Sequence, residues 1–187
     1  MYFFLIFIDM RKIIQTLLRE SLMGEVSDSI HTTIKQSHMN DRIAVTKNEE
    51  INFIPVPSSS QPKIHKPKGL WYGIGDSWIS FIKRNDMPTW DYDYVHKIEI
   101  DESKMVIIRN MDDLIKFDAD FGYDNESRIF YDAGRMIDWE RVAAMYGGIE
   151  IAPYLNDGYE YKWYEIWDVA SGCIWGDGII TGSGLIR

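Results

Sequence analysis

The chain has 187 residues, of which 45% are hydrophobic, enough for one folded domain with an appendage. Its net charge of −9 disfavours general binding to nucleic-acid backbones, which are themselves negative. The seven apolar residues after Met1 are too few for a membrane span, which needs about 20. The single cysteine, Cys173, excludes an internal disulfide and fits a reducing compartment, so we expect an intracellular, cytoplasmic protein.

Charge is distributed unevenly along the chain. Residues 1–70 contain 9 basic and 7 acidic residues, whereas residues 71–187 contain 11 basic and 22 acidic ones. All 7 tryptophans lie at or after Trp71. We therefore expect an acidic body that binds a basic partner, or one small anion on a local basic patch.

The N-terminal part predicts one helix followed by a polar stretch. Across residues 10–23, apolar side chains recur at the spacing of one helical face, and Gly24 can end the helix. Residues 25–50 are polar and lack a firm period, so we expect a mobile loop or a weak helix there. The predicted organisation is an N-terminal helix with a polar segment at 1–50 and an α+β domain at 51–187.

The predicted domain begins with a strand, a linker and a strand-to-helix unit. Residues 51–56 alternate between apolar and polar, although Pro55 limits that strand to an edge or an end of a sheet. The Pro- and Ser-rich stretch 57–62 is typical of a linker. Residues 69–74 then predict a strand, and residues 76–84 a helix.

The second half of the chain continues to alternate between strand and helix patterns. Residues 95–100 and the apolar run at 105–108 predict a β-hairpin with a four-residue loop. The other predicted elements are a helix at 112–117, a loop at 118–135, a helix at 139–146 capped by Asp138, and strands at 149–151 and 161–169. The expected fold is α+β, with a mixed or mainly antiparallel split sheet and short helices against it.

Residues 64–84 contain the most concentrated set of candidate binding groups. Cations and helix N–H groups attract phosphate, glycines allow close backbone approach, and aromatic faces pack on a planar ring. The segment therefore predicts a site for a phosphorylated aromatic ligand. The candidate ligand-binding residues are His65, Lys66, Lys68, Gly73, Gly75 and Ser77. Strand alternation puts Tyr72 opposite Trp71, so when one of them is buried the other faces a cleft or solvent.

Several of these features also have an ordinary structural explanation. Trp71, Tyr72 and Trp78 also suit a core between a strand and its following helix. Cys173 is either an inert core thiol or the nucleophile of a hydrolase, with His96 or His65 as its base. The four histidines and the one cysteine lack ligand spacing, so no metal site is predicted.

The order of elements over residues 64–175 resembles that of the ADP-ribosyltransferase fold family. The likeness is carried by Gly-Leu-Trp-Tyr-Gly at 69–73, by the hairpin segments 94–101 and 105–108, and by Tyr-Gly-Gly-Ile at 146–149. Members of that family bind NAD in a cleft between two small sheets. The resemblance thus implies NAD as co-substrate and a macromolecule, such as a protein, as the target.

The resemblance also implies roles for residues on three strands. A first-strand His or Arg contacts the ribose or phosphate, a second-strand Tyr or Ser supports the nicotinamide, and a later Glu stabilises an oxocarbenium-like transition state. In this chain the second role falls on Tyr72. The later carboxylate is Glu165, with Asp168 or Glu150 as substitutes. The predicted first strand has no His or Arg, and the nearest replacement is His65.

A different class of function also fits the composition. In a non-enzymatic interaction protein, the aromatics would form a core and one exposed binding patch, and the acidic surface would engage a basic partner. The absence of a first-strand His or Arg favours this alternative.

Overall fold

A computed structural model describes residues 28–29, 31–63, 66–87, 92–126 and 134–186. The helix predicted at 10–23 and the candidate residue His65 lie outside the described residues. The described part has an α+β fold with four helices, a seven-stranded mixed sheet and a two-stranded sheet, which confirms the predicted fold class.

The large sheet is mainly antiparallel. The strands, in chain order, are β1 Arg42–Thr46, β2 Leu70–Ile74, β3 Tyr94–Ile100, β4 Val106–Ile108, β5 Gly122–Asn125, β6 Gly134–Ile137, β7 Gly148–Ile151, β8 Ser171–Ile174 and β9 Ile180–Leu185. The order across the large sheet is β4-β7-β8-β2-β1-β3-β9, with β4 and β7 parallel, while β5 and β6 form the separate two-stranded sheet. Strand β2 therefore lies at the centre of the large sheet.

One face of the large sheet is covered by helices. These are α1 at 31–37, α2 Ser77–Arg84, α3 Met111–Phe121 and α4 Trp139–Met145. Asn110 and Asp138 cap α3 and α4 by accepting bonds from backbone N–H groups at 2.9 and 3.0 Å. Apolar side chains of the helices pack against Ile43, Trp71 and Cys173, and we call this side of the sheet the helix face.

The other side of the sheet, which we call the far face, carries Ala44, Tyr72 and Glu150. Ile51 and Phe53 pack across its apolar part. Their segment forms no strand, so the strand predicted at 51–56 is wrong. Because its backbone joins no ladder, its side chains cover the sheet without extending it.

The first strand lies earlier in the chain than predicted. Residues 25–50 were expected to form a loop or a weak helix, but they contain both α1 and β1. Strand β1 pairs with β2 on one side and with β3 on the other, so the sheet begins before residue 51. Only three apolar residues separate Arg42 from Thr46, which is too short a run to stand out against its polar flanks.

The predicted hairpin is also wrong. Strand β3 pairs with β1 and β9, whereas β4 pairs with β7 near the opposite end of the strand order. The five residues between them contain a 3-10 turn, Glu102–Lys104, which Asp101 caps by accepting a bond from the Ser103 N–H at 3.1 Å. The residues of a turn do not determine whether the strands before and after it pair with each other.

Two further segments differ from their predictions. Residues 161–169 form successive turns instead of a strand, with Trp163, Tyr164 and Trp167 buried and Glu165 exposed. Burial at positions i, i+1 and i+4 follows a helical period, which the aromatic, strand-like composition concealed. The predicted linker at 57–62 contains a 3-10 turn, Ser58–Ser60, and the buried Gln61.

The loop predicted at 118–135 is wrong, because this range contains the end of α3, strand β5 and the start of β6. The remaining predicted elements agree well with the structure. Strand β2, helices α2 and α4 and strand β7 lie within one or two residues of the predicted bounds, and α3 is longer than predicted by four residues at its C-terminal end. The last strand, β9, lies in a glycine-rich tail from which no element was predicted.

Candidate functional site

Strand β2 carries two neighbouring aromatic residues on opposite faces of the sheet. Trp71 is partly buried on the helix face and lines a cavity. Tyr72 is on the far face and only 3% exposed. Tyr72 also contributes to the lining of this cavity, but its hydroxyl bonds to Glu150 on the far face.

Arg42, Tyr72 and Glu150 meet on the far face, although they belong to β1, β2 and β7. We call these three residues the far-face cluster. The Tyr72 hydroxyl donates to Glu150 Oε2 at 2.8 Å, and Arg42 Nε donates to the same oxygen at 2.6 Å. Arg42 Nη2 donates to the other oxygen, Oε1, at 3.1 Å. Glu150 is 5% exposed, and these bonds compensate the carboxylate for its loss of water.

A glycine makes this meeting possible. Across β2, β8 and β7, Tyr72, Gly172 and Glu150 lie in one row of the sheet, with Gly172 in the middle. A Cβ atom on Gly172 would lie 2.3 Å from the Tyr72 hydroxyl oxygen and 2.4 Å from its Cζ. The tyrosine ring thus passes over the bare backbone of β8 to reach the carboxylate.

The far-face cluster is connected to the surface through Arg42. Its guanidinium also bonds to Glu102, which in turn accepts a bond from Arg109 at 3.1 Å. The Arg42 side chain is 21% exposed and the Glu102 side chain 43%. Burial opposes the charged form of Arg42, but hydrogen bonds with Glu150 and Glu102 raise its pKa above the ordinary value.

The electrostatics favour one ionisation state for Arg42, Tyr72 and Glu102. Burial, reinforced by the negative charge of Glu150, raises the pKa of Tyr72 well above its ordinary value, so its hydroxyl keeps its proton and donates. The hydrogen bond from Arg42 lowers the pKa of Glu102, which keeps that carboxylate charged. The cluster therefore offers a neutral donor, a fixed carboxylate and a permanent cation.

The helix face contains a cavity of about 340 Å³ beside β2 and α2. Its lining includes Val45, Lys66, Trp71, Trp78, Asp168 and Val169. Lys66 Nζ lies 2.7 Å from Asp168 Oδ2 and 5.4 Å from the centroid of the Trp71 ring. The cavity is mainly aromatic and aliphatic, with one ion pair at its wall, which is the usual composition of a small-ligand site.

Segment 66–78 supplies much of this lining, but few of the predicted ligand-binding residues belong to it. Lys66 does, whereas the Lys68 side chain is exposed. Gly73 packs against Ser77, whose hydroxyl donates to the Ala170 carbonyl at 2.9 Å. Gly75 has φ +57° and lies where a Cβ would be 2.3 Å from the Met39 carbonyl oxygen. Gly73, Gly75 and Ser77 thus connect strand β2 to helix α2.

The predicted late carboxylate does not meet Tyr72. Glu165 is exposed and pairs with Lys162, three residues earlier. Its two substitutes lie on opposite sides of the sheet, Glu150 in the far-face cluster and Asp168 at the cavity. The sequence does not single out Arg42, because β1 lies in a stretch that predicts a loop or a weak helix. The apolar triplet after Arg42 is the one sequence feature that indicates this strand.

The structure argues against a cysteine hydrolase, because the Cys173 thiol is inaccessible to solvent and lies on the opposite face of the sheet from His96. Cys173 is fully buried on the helix face, and burial raises the pKa of its thiol. His96 lies on the far face, within 3.0 Å of the Thr46 hydroxyl. Thiol and imidazole are thus separated by the sheet. Within the described ranges, no group of three or more His, Cys, Asp or Glu side chains is arranged to hold a metal ion.

The fold and these two groups of side chains define an α+β protein with a mixed seven-stranded sheet. Comparison with models of protein families, with curated proteins and with solved structures finds no match. Among the residues described, no helix combines the length and the apolar character that crossing a membrane requires.

Proposed function

We propose that the protein is an ADP-ribosyltransferase-like enzyme that uses NAD as co-substrate and modifies a macromolecular target. The far-face cluster is the observation that carries this proposal. Its members are an Arg on the first described strand of the sheet, a Tyr on the next and a Glu on a later one, joined by hydrogen bonds of 2.6 and 2.8 Å. These are the residue types and the strand order that the sequence resemblance implies.

The chemistry of ADP-ribosyl transfer suits these groups. Breaking the bond between nicotinamide and ribose leaves positive charge on the ribose, and a carboxylate held in a dry site stabilises that charge as it develops. Glu150 is such a carboxylate. Tyr72 supplies a neutral donor beside it, and Arg42 supplies a cation for a phosphate or ribose oxygen. Because Arg42 is the most exposed of the three, NAD would approach from its side of the cluster.

The interaction protein is a second candidate, and one observation favours it. Glu150 already accepts three hydrogen bonds from within the chain, as a carboxylate in a purely structural ion pair does. In that case the acidic surface would bind a basic partner, and the far-face cluster would only hold β1, β2 and β7 together.

Labelled NAD incubated with the full chain and a whole-cell lysate tests the proposal. We expect label to be transferred to macromolecules and NAD to raise the melting temperature of the protein. Glu150→Gln should abolish transfer, whereas Glu165→Gln, a matched change in an exposed carboxylate, should retain it. Circular dichroism confirms that each variant is folded, and Tyr72→Phe, which removes one hydroxyl, is a milder second variant. No transfer and no NAD-dependent melting shift in the wild type would support the interaction protein instead.

A further inference from the structure

We infer that the cavity on the helix face binds a small organic cation, a ligand with an alkylated ammonium group. Tyr72 also contributes to the cavity lining, but its hydroxyl bonds to Glu150 on the far face, and neither Arg42 nor Glu150 lines the cavity. The site is therefore separate from the proposed ADP-ribosyl transfer. The inference rests on the lining of the cavity and on a cation that the chain itself supplies there.

The position for a cation is already occupied by Lys66. Its ammonium group lies 5.4 Å from the centroid of the Trp71 ring and 2.7 Å from an oxygen of Asp168. An indole face and a carboxylate on one ammonium are the two elements of cation recognition in proteins. The Lys66 side chain is 32% exposed, so it can turn into solvent and leave both partners to a ligand.

The rest of the cavity favours alkylated ammonium over other ligands. Its volume of about 340 Å³ is far larger than a single ammonium group requires, and Val45, Val169 and Trp78 offer apolar surface to methyl groups. Asp168 and the net charge of −9 disfavour anions. A neutral ligand would gain no electrostatic attraction from the Asp168 carboxylate or the Trp71 ring, and this favours positive charge.

Choline and its neutral isostere 3,3-dimethylbutan-1-ol are suitable probes, because they share shape and differ in charge. Titration of the full chain, followed by calorimetry, should show choline binding about tenfold more tightly, the ratio that about 1.4 kcal/mol of cation recognition gives. Choline contains no ribose or phosphate, so its binding is measured independently of any reaction with NAD. Equal affinities for the two probes, or binding of neither, would overturn the inference.

Lys66→Ala is the most informative variant, because it should strengthen choline binding by removing the internal competitor. Lys63→Ala, a matched change at an exposed lysine three residues earlier, should leave the affinity for choline unchanged. Asp168→Asn and Trp71→Phe should each weaken choline binding several-fold, and both are mild enough to preserve the fold. A Lys66→Ala protein that binds choline less tightly than the wild type would show that Lys66 is part of the site instead of its occupant, and would overturn the inference.

Discussion

The two faces of strand β2 differ in what their side chains meet. On the far face, Tyr72 is buried and its hydroxyl donates a hydrogen bond to the Glu150 carboxylate. On the helix face, its neighbour Trp71 leaves part of its ring free to line a cavity. Strand alternation guarantees that the two side chains diverge, but the neighbouring elements decide what each one meets. Gly172 has no side chain, so the Tyr72 ring can pass over it. A cavity lies beside Trp71, where helix α2 contributes Trp78 to the lining.

The carboxylates on the two faces also differ in how deeply they are buried. Glu150 pairs with Arg42, and its side chain is 7% exposed; Asp168 pairs with Lys66, and its side chain is 37% exposed. Removing a partner from a buried pair leaves an uncompensated charge out of water, whereas an exposed pair returns to water at little cost. The Arg42–Glu150 pair should therefore contribute more to stability than the Lys66–Asp168 pair, which should adapt more easily.

The largest expected effect follows from truncating each carboxylate. Glu150→Ala leaves the Arg42 guanidinium and the Tyr72 hydroxyl without their acceptor on this residue. We expect it to lower the free energy of unfolding by about 3–5 kcal/mol. Asp168→Ala should lower it by less than about 1 kcal/mol. Urea unfolding of both variants measures the difference. Similar losses in the two proteins would show that the faces do not differ in this way.

A smaller effect should follow from filling the gap beneath the tyrosine. The Cβ of Gly172→Ala would overlap the Tyr72 ring and lie 2.8 Å from the Ile149 carbonyl oxygen, so either the ring or a strand must shift. We expect a loss of about 1–3 kcal/mol in the free energy of unfolding.

Gly184→Ala on β9 is the matched control, because a Cβ there would meet no atom within 4 Å. It should change the free energy of unfolding by less than about 0.5 kcal/mol. If Gly172→Ala were equally harmless, the close approach of Tyr72 to the backbone of β8 would be refuted.

The smallest expected effect concerns the exposed end of the network. The pKa of Glu102 lies below its ordinary value of 4.5 in the folded chain, because Arg42 bonds to it. As pH falls through that range, the unfolded chain takes up a proton first, and the stabilising contribution of Glu102 is lost. Glu102→Gln should therefore reduce stability slightly at neutral pH and flatten its decline between about pH 5 and about pH 3. Parallel decline in variant and wild type in acid-unfolding curves would contradict this assignment.

The sequence predicts the local units of this fold better than their arrangement. The strand-to-helix unit at β2 and α2, and the caps Asn110 and Asp138, depend on neighbouring residues and are visible as patterns. The pairing of β4 with β7 depends on contacts between distant segments, which no local pattern contains.

The candidate site shows the same limit. Strand alternation is local, so the sequence singles out Tyr72, but it indicates Glu150 only as a substitute for Glu165. Arg42 was missed because a five-residue strand with polar ends resembles a loop until its partners on both sides are known. The Lys66–Asp168 pair joins residues 102 positions apart, so no spacing in the sequence indicates it.

The most direct test of two separate sites on β2 is an NMR titration that follows the Tyr72 ring and the Trp71 indole in the same sample. Trp71→Phe and Tyr72→Phe proteins assign the two signals. We expect NAD to shift the Tyr72 resonances and leave the Trp71 indole in place, and choline to do the reverse. If NAD instead shifts the Trp71 indole without affecting Tyr72, the nucleotide binds in the cavity, and the far-face cluster is not the site of ADP-ribosyl transfer.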